Sequence, residues 1–323
     1  MAALEAYVVR SGAPTPNSGS ATIYVAEKLG YFSDEGLAVE VRYSQNTSQA
    51  TQLAASGEAD AGSFSFEAFV AGYEKGMRGR FYLPINTQNL FWIATLQGSE
   101  IKTAEQLKGK KIGVTNMGSG SLVIARSILR AAGIKPDNGM FVPVGTGASA
   151  RQALETGRVD ALSLWDAGYS AIERSGLKMQ WIMHPKLKTV PSVGIFVSEA
   201  SFKAKKKAHI GFIRAIIKAR AYMAYHREEA VKIYWAKVPG ARVGETPEEQ
   251  LKNGLAEIGF MDPFPPGTPD DKMAPRFNFD DVNYYLSVLK EDGVFTADIK
   301  AQDIFSNTLL DEVGSIDFAA IKK

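Results

Sequence analysis

Ser56-Gly57-Glu58-Ala59-Asp60-Ala61 returns as Thr156-Gly157-Arg158-Val159-Asp160-Ala161, with the Gly, the Asp and the final Ala each displaced by 100 positions. Both copies follow helical apolar spacing: Ala50, Leu53 and Ala54 before the first, Ala150, Ala153 and Leu154 before the second. Glycine tolerates the left-handed backbone that ends a helix, so each copy reads as a helix that stops on Gly and feeds a buried strand, half of an α/β unit. Two such units predict two similar α/β lobes. Open α/β sheets bind ligands beyond the carboxyl ends of their strands, so two facing lobes place a cleft between those ends. The chain is expected to close on a small molecule.

Composition agrees with that size and excludes several chemistries. At 323 residues, 45% hydrophobic and 22% charged, the chain supports two globular units with substantial cores. The formal net charge is +2, and the densest basic cluster, Lys203-Ala204-Lys205-Lys206-Lys207, reads as a solvated helix start and not as a nucleic-acid surface. There is no cysteine, which removes thiol nucleophiles, disulfides and Cys-based metal sites. His184, His209 and His226 lack metal-ligand spacing, so neither a metal nor a cofactor is expected. No apolar run is long enough to span a bilayer, and Ala2-Ala3-Leu4-Glu5 lacks the charged and apolar regions of a signal peptide.

Outward from the repeats, Ala6–Arg10 is a first strand and Ser11–Pro16 a loop. A helix follows Asn17–Ser20 and ends at Gly30, and Leu37–Tyr43 alternates as a strand. Helices are expected at about 46–56 and at Glu67–Lys75, with strands at 59–63, 81–85 and 91–95. Thr103–Lys111 reads as a polar helical connector into a new strand, Ile112–Val114. Asn116–Ser121 opens an amphipathic helix, and further strands are expected at 140–144, 179–183 and 193–197. Beyond Ser201 the pattern is helical, with a long helix over His209–His226, a Pro/Gly loop at Pro263–Pro269, and helices at Phe279–Lys290 and Asp303–Val313. The expected organisation is lobe 1 from residues 1–97 and 193–323, with lobe 2 inserted as 98–192. Two crossing segments then form a hinge.

Tyr24-Val25-Ala26-Glu27-Lys28-Leu29-Gly30-Tyr31-Phe32-Ser33-Asp34-Glu35-Gly36-Leu37-Ala38-Val39-Glu40 resembles the opening of periplasmic solute-binding proteins of the sulfonate/nitrate/taurine and thiamine-precursor group. Leu107-Lys108-Gly109-Lys110-Lys111-Ile112-Gly113-Val114 is similar to that family's entry into its second lobe. The resemblance covers about residues 7–235. It implies an α/β fold of the type II periplasmic binding protein class, two lobes joined by a two-segment hinge. It also implies a periplasmic location, delivery of a solute to the membrane permease of an ABC importer, action as a monomer, and no catalysis.

Cleft residues are expected in the loops after the strands: Asn17 and Ser18; Ser63, Phe64, Ser65 and Phe66; Gln88 and Asn89; Gly118, Ser119, Gly120 and Ser121; Trp165 and Asp166; Pro191 and Ser192. Gly118-Ser119-Gly120-Ser121 is the sharpest of these. Glycine admits close approach, serine supplies hydroxyls, and a helix start presents free N–H groups with partial positive charge, an arrangement suited to a sulfonate, carboxylate or phosphate. An ordinary N-capped turn is the competing reading. Changing Ser119 and Ser121 together to bulky residues is expected to abolish binding with the fold intact. Phe64, Phe66 and Trp165 read either as an aromatic wall or as core. Asp166 reads as a counter-charge for a ligand amine or, in preference, as an N-cap for a helix over Gly168–Arg174. Arg10 reads as an anion partner or a surface ion pair, and Asp60 and Asp160 as structural, because both copies keep them.

The leading function is binding of a small organic anion: an alkanesulfonate, taurine or an aromatic carboxylate. A pyrimidine-type heterocycle is the alternative within the class. Outside it stands an enzyme similar to the fungal thiamine-pyrimidine synthase, whose resemblance implies a Cys-rich motif and consumption of its own histidine; a chain without cysteine cannot carry that motif.

Overall fold

The computed structural model describes residues 3–86, 88–187, 190–259 and 274–323. In chain order the first sheet and its helices comprise β1 (Glu5–Ser11), α1 (Ala21–Lys28), α2 (Tyr31–Asp34), β2 (Leu37–Tyr43), α3 (Thr47–Ala55), β3 (Ala61–Ser65), α4 (Phe66–Glu74) and β4 (Gly79–Pro84). The chain then crosses to β5 (Phe91–Leu96), β6 (Ile112–Val114), α5 (Gly120–Ala131), β7 (Phe141–Pro143), α6 (Ala148–Glu155), β8 (Ala161–Trp165), α7 (Asp166–Arg174) and β9 (Met179–Ile182). It returns as β10 (Val193–Ser198) and ends in helices, among them α8 (Glu199–Tyr225), α9 (Arg227–Lys237), α10 (Pro247–Gly259) and α11 (Phe279–Glu291).

The two sheets have the same topology. The first has the order β2-β1-β3-β10-β4 and the second β7-β6-β8-β5-β9. In each, three strands are parallel, and the fourth is antiparallel and supplied by chain arriving from the other side: β10 in the first sheet, β5 in the second. The repeat has a physical cause. Asp60 Oδ2 accepts from Val8 N at 2.7 Å, and Asp160 Oδ2 accepts from Lys111 N at 2.7 Å, so each Asp ties the start of its strand to the neighbouring parallel strand, at the middle of β1 and at the start of β6. Gly57 and Gly157, at φ 88° and 71°, make the left-handed turns that precede them.

Several expectations shift. The strand at 91–96 lies in the second sheet, between β8 and β9, so the outgoing crossing falls at 85–90 and not at 97/98; its alternation carries no mark of which sheet it joins. The connector at 103–111 forms only a short 3₁₀ turn, Glu105–Leu107. The long helix starts ten residues before His209 and is kinked at Lys205 (φ −132°), where the ammonium reaches Asp60 at 2.8 Å. The expected helix 303–313 is broken: Phe305 leaves helical geometry to bridge Phe81 and stack among Phe66, Phe81 and Phe277. The loop expected at Pro263–Pro269 and Thr189 of the return crossing lie outside the described residues.

The core is not divided cleanly between the sheets. One cluster joins Phe64, Phe66, Phe69, Phe81 and Phe196 to Ile112, Ile124 and Leu129 of the second lobe and to Tyr285, Leu286 and Leu289 of α11. Helix α11 therefore bridges the lobes. From its middle Tyr285 OH donates to Glu67 of α4; just past its C-terminal end, the carboxylate of Asp292 accepts from Ser127 of α5 and lies 3.3 Å from His184.

Candidate functional site: the interlobe cleft

A cavity of about 120 Å³ lies where β1 and β3 of one sheet end opposite β6 and β8 of the other. Its walls take Ser11–Pro14, Asn17 and Gly19 from the loop after β1, Asn46 and Thr47 from the start of α3, and Ser63, Phe64 and Ser65 from the end of β3. The second lobe contributes Thr115, Asn116, Ser119, Gly120, Ser121, Trp165 and Ala167; Leu90, Phe91 and Val193 come from the crossings and the strands they join. Among the described residues, no charged side chain is part of this wall.

Helix starts supply the polarity. Asn46 caps α3 conventionally, its Oδ1 accepting from Gln49 N at 2.9 Å. Ser65, Trp165 and Ser119 occupy the N-cap positions of α4, α7 and α5, and none of the three side chains caps its helix. The first N–H groups of α4 and α7 are taken by carbonyls: Phe66 N donates to Ser192 O, and Asp166 N to Leu90 O, both at 3.0 Å. Helix α5 keeps the most open start. Ser119 Oγ donates to Asn116 O at 2.9 Å and lies 3.2 Å from Ser121 Oγ. Around the cavity Ser65 Oγ and Thr115 Oγ1 are buried without a hydrogen-bond partner. Buried hydroxyls are rarely left unpaired, so these two are free to meet polar atoms entering the cavity.

The two lobes touch across this cavity. Ser48 N and Oγ donate to Gly118 O at 3.3 and 3.2 Å, and Asn116 Nδ2 donates to Gln45 O at 3.2 Å. A Cβ on Gly118 would stand 2.6 Å from Asn46 Cγ, and one on Gly120 would stand 2.2 Å from Ser65 Oγ. Both glycines thus admit the opposing lobe.

Of the residues expected at the cleft, the structure gathers Asn17, Ser63, Phe64, Ser65, Ser119, Gly120, Ser121 and Trp165 around the cavity. Gly118, Ser18, Gln88, Asp166 and Ser192 do not line it. Ser192 is buried, its Oγ accepting from Leu90 N at 3.1 Å and from Asn86 Nδ2 at 3.2 Å. Ser18 is buried in the turn after Asn17, Gln88 is exposed, and its carbonyl accepts from Asn86. Phe66 turns into the aromatic core, whereas Phe64 packs on Phe81 and Phe196 with part of its surface left to the cavity, where Phe91 joins it. Arg10 is absent from the wall. Ser121 is 1% exposed and exchanges hydrogen bonds with Ser163 (Oγ to O, 3.0 Å each way), so a bulky side chain there would break the core; the test by bulky substitution belongs to Ser119 alone.

Asp166 is not an N-cap: the helix begins on it, with Trp165 in the cap position. It is 1% exposed, neither carboxylate oxygen has a hydrogen-bond partner, and burial pushes its carboxyl up to about 7, opposed by the Ala167 N–H. A second buried carboxyl went unnoticed in the sequence. Glu67, in the first turn of α4, is fully buried, and burial pushes it up to about 7 against the pull of the Tyr285 and Ser65 hydroxyls.

A family profile described as "NMT1/THI5 like" matches residues 17–230, more than half of the chain. The 4-amino-5-hydroxymethyl-2-methylpyrimidine phosphate synthase THI13 of Saccharomyces cerevisiae is 27% identical over 140 residues, 43% of this chain and 40% of the yeast protein; the match thus spans well under half of that relative's length. The alkanesulfonate-binding protein SsuA from Xanthomonas axonopodis, solved with MOPS bound, superposes with a TM-score of 0.69 at 15% identity, covering 95% of this chain and 99% of that one. The nitrate-binding protein NrtA from Synechocystis superposes with a TM-score of 0.67 at 14% identity, covering 96% and 88%. At those identities the likeness is one of fold, the periplasmic binding protein fold. With two sheets of matching topology, a cleft at their carboxyl ends and the matched profile together, the chain belongs to the NMT1/THI5-like family.

Proposed function

We propose that the protein is the solute-binding component of an ABC importer, acting in the periplasm as a monomer and closing on a small organic anion without catalysis. The observation that carries this reading is the open start of α5 facing unpaired hydroxyls in a cavity without charged side chains. Helix N-termini hold an anion through N–H groups and the macrodipole, with no cation required. The volume limits the ligand: a dry cavity of roughly 150 Å³ accommodates benzene, so about 120 Å³ suits taurine or a short alkanesulfonate, and an aromatic carboxylate would require the lobes to part slightly. Ligand contacts to both lobes favour the closed arrangement, which the permease would read.

A pyrimidine-type heterocycle is the second reading. It is favoured by Phe64, Phe91 and Trp165 on the wall and by the name of the curated yeast relatives. An enzyme of that kind has less support: His184 contacts Asp292, His209 contacts Tyr7 and His226 contacts Ile321 O, so none of the three histidines reaches the cleft. A thermal-shift screen against alkanesulfonates, taurine, nitrate, aromatic carboxylates and pyrimidines separates the readings. A ligand at 100 times its Kd stabilises by about 2.7 kcal/mol. A hit among the anions supports the α5 anchor, a hit confined to heterocycles supports the aromatic wall, and turnover of a bound heterocycle refutes the non-catalytic reading.

A further inference from the structure

Ser65 and Glu67 form a link between the cavity and a buried, titratable group. Ser65 Oγ lies on the cavity wall, is buried, and has no hydrogen-bond partner. Two residues on, Glu67 is fully buried; Oε1 accepts from Tyr285 OH, and Oε2 has no partner. Ser65 Oγ and Glu67 Oε2 are thus two buried polar atoms, two residues apart and both without a partner, and the Ser65 hydroxyl favours the charged carboxylate. One hydroxyl has one proton to give. If Glu67 is ionised, Ser65 turns its O–H toward the carboxylate and shows the cavity a lone pair. If Glu67 is protonated, the acid can donate to Ser65, and the serine proton is free for the ligand.

Among the described residues, the surroundings bring no counter-charge. Helix α3, packed on α4, contains no titratable residue. On α5, Arg126 is engaged with Asn138 and the Phe141 ring, and neither it nor Arg130 exerts a charge effect on Glu67. From α11 only Tyr285 meets the carboxyl; Tyr284 is exposed. Glu74, at the far end of α4, is held by Thr296 and Ala297. The next buried carboxyl is Asp166, in the opposite lobe behind the cavity-lining Trp165 and Ala167; burial pushes it up to about 7 as well, and it brings no cation.

We propose that Glu67 is a positioning residue whose protonation sets Ser65 as a hydrogen-bond donor into the cleft, so that anion binding to the ionised form is accompanied by uptake of one proton at Glu67. This rests on the anion reading above. An anion in the cavity needs donors and disfavours a second buried negative charge behind the serine; both demands are met by the same proton.

The test is calorimetric titration of the whole protein with ethanesulfonate and benzoate at pH 6 and pH 9, in buffers of different ionisation enthalpy. Wild-type affinity should fall by up to about tenfold per pH unit above pH 7, with close to one proton taken up per anion at pH 8. Glu67→Gln, neutral at every pH, should lose the part of the slope that Glu67 causes; Asp166, pushed up to about 7 beside the cavity-lining Trp165 and Ala167, accounts for what remains, so Glu67→Gln combined with Asp166→Asn should bind equally at pH 6 and pH 9. Ser65→Ala should bind weakly and with a shallower pH slope, because the donor switch is gone and only repulsion between the anion and the ionised carboxyl is left. Tyr285→Phe removes a bond that favours the carboxylate, so it should move the fall in affinity to higher pH. Binding without pH dependence or proton uptake overturns the proposal and leaves the anion reading standing, as does an unchanged slope in Glu67→Gln. Failure of both anions at pH 6, with a heterocycle binding instead, overturns the anion reading and the proposal together.

Discussion

Replacing Gly120 by alanine should weaken ligand binding without weakening the fold. Gly120 is the first residue of α5 and its φ is negative, so alanine fits the backbone. There it is expected to stabilise the chain by about 0.4–1 kcal/mol through a less flexible unfolded state. The added methyl, however, would stand 2.2 Å from Ser65 Oγ and 3.1 Å from Ser65 Cβ, against ordinary contacts of 3.4–4 Å. Rotating the hydroxyl away leaves the Cβ contact and removes a cavity hydroxyl. Otherwise the lobes must part by roughly 1.2 Å, and the three bonds from Ser48 and Asn116 across the cleft, already 3.2–3.3 Å long, are lost. At about 1 kcal/mol each this removes about 3 kcal/mol from the closed state, or roughly 100-fold in affinity. Calorimetry with the strongest ligand from the screen, beside thermal unfolding without ligand, reads both effects. Affinity within threefold of wild type would refute the argument that these glycines exist for lobe contact.

Three further outcomes follow from the same geometry. Glu67, at about 7 when folded against an ordinary 4.5, binds its proton more tightly folded than unfolded, so stability should decline as pH rises from 4.5 to 7 and then level off, by at most about 3 kcal/mol; Glu67→Gln should reduce that decline, which urea unfolding at pH 5 and pH 8 would detect. Ser119→Val removes the hydroxyl at the α5 start with little effect on the core, and should lower anion affinity at least tenfold with unfolding temperature nearly unchanged; an intact affinity would move the anion elsewhere in the cavity. Trp165 lines the cavity, so saturating ligand should change tryptophan fluorescence in the wild type and much less in Trp165→Phe, and equal changes would place the ligand away from that wall.

The two lobes were legible because their cause is local. Gly57 and Gly157 end helices, and Asp60 and Asp160 each make the same bond to a neighbouring strand, so the pattern had to recur. The serines of α5 followed from the rule that open sheets bind at their strand ends. The same rule, carried past the strand ending at Tyr43, reaches Asn46 and Thr47, which the sequence reading passed over. Phe91 and the sheet assignment of its strand were beyond reach, because antiparallel pairing with β8 and β9 is set by tertiary structure and leaves no trace in the alternation of Phe91–Leu96. Glu67 was hidden for a related reason: a Glu in a first helical turn is ordinary, and only the aromatic cluster around it makes it a buried acid.

The exchanged strands also decide the order in which the molecule can assemble. In the first sheet β4 does not touch β3; the gap between them is filled by β10, over one hundred residues later. As the chain is made from its amino terminus, the first lobe waits with an open edge until residue 198 has emerged, while every strand of the second sheet lies between 91 and 182. The inserted half can therefore finish first, and the half that begins the protein must finish last. An unpaired strand edge, on a strand that ends up largely buried, held open for that long is a hazard for association with other chains. Keeping the nascent chain unfolded until it is complete would remove that hazard.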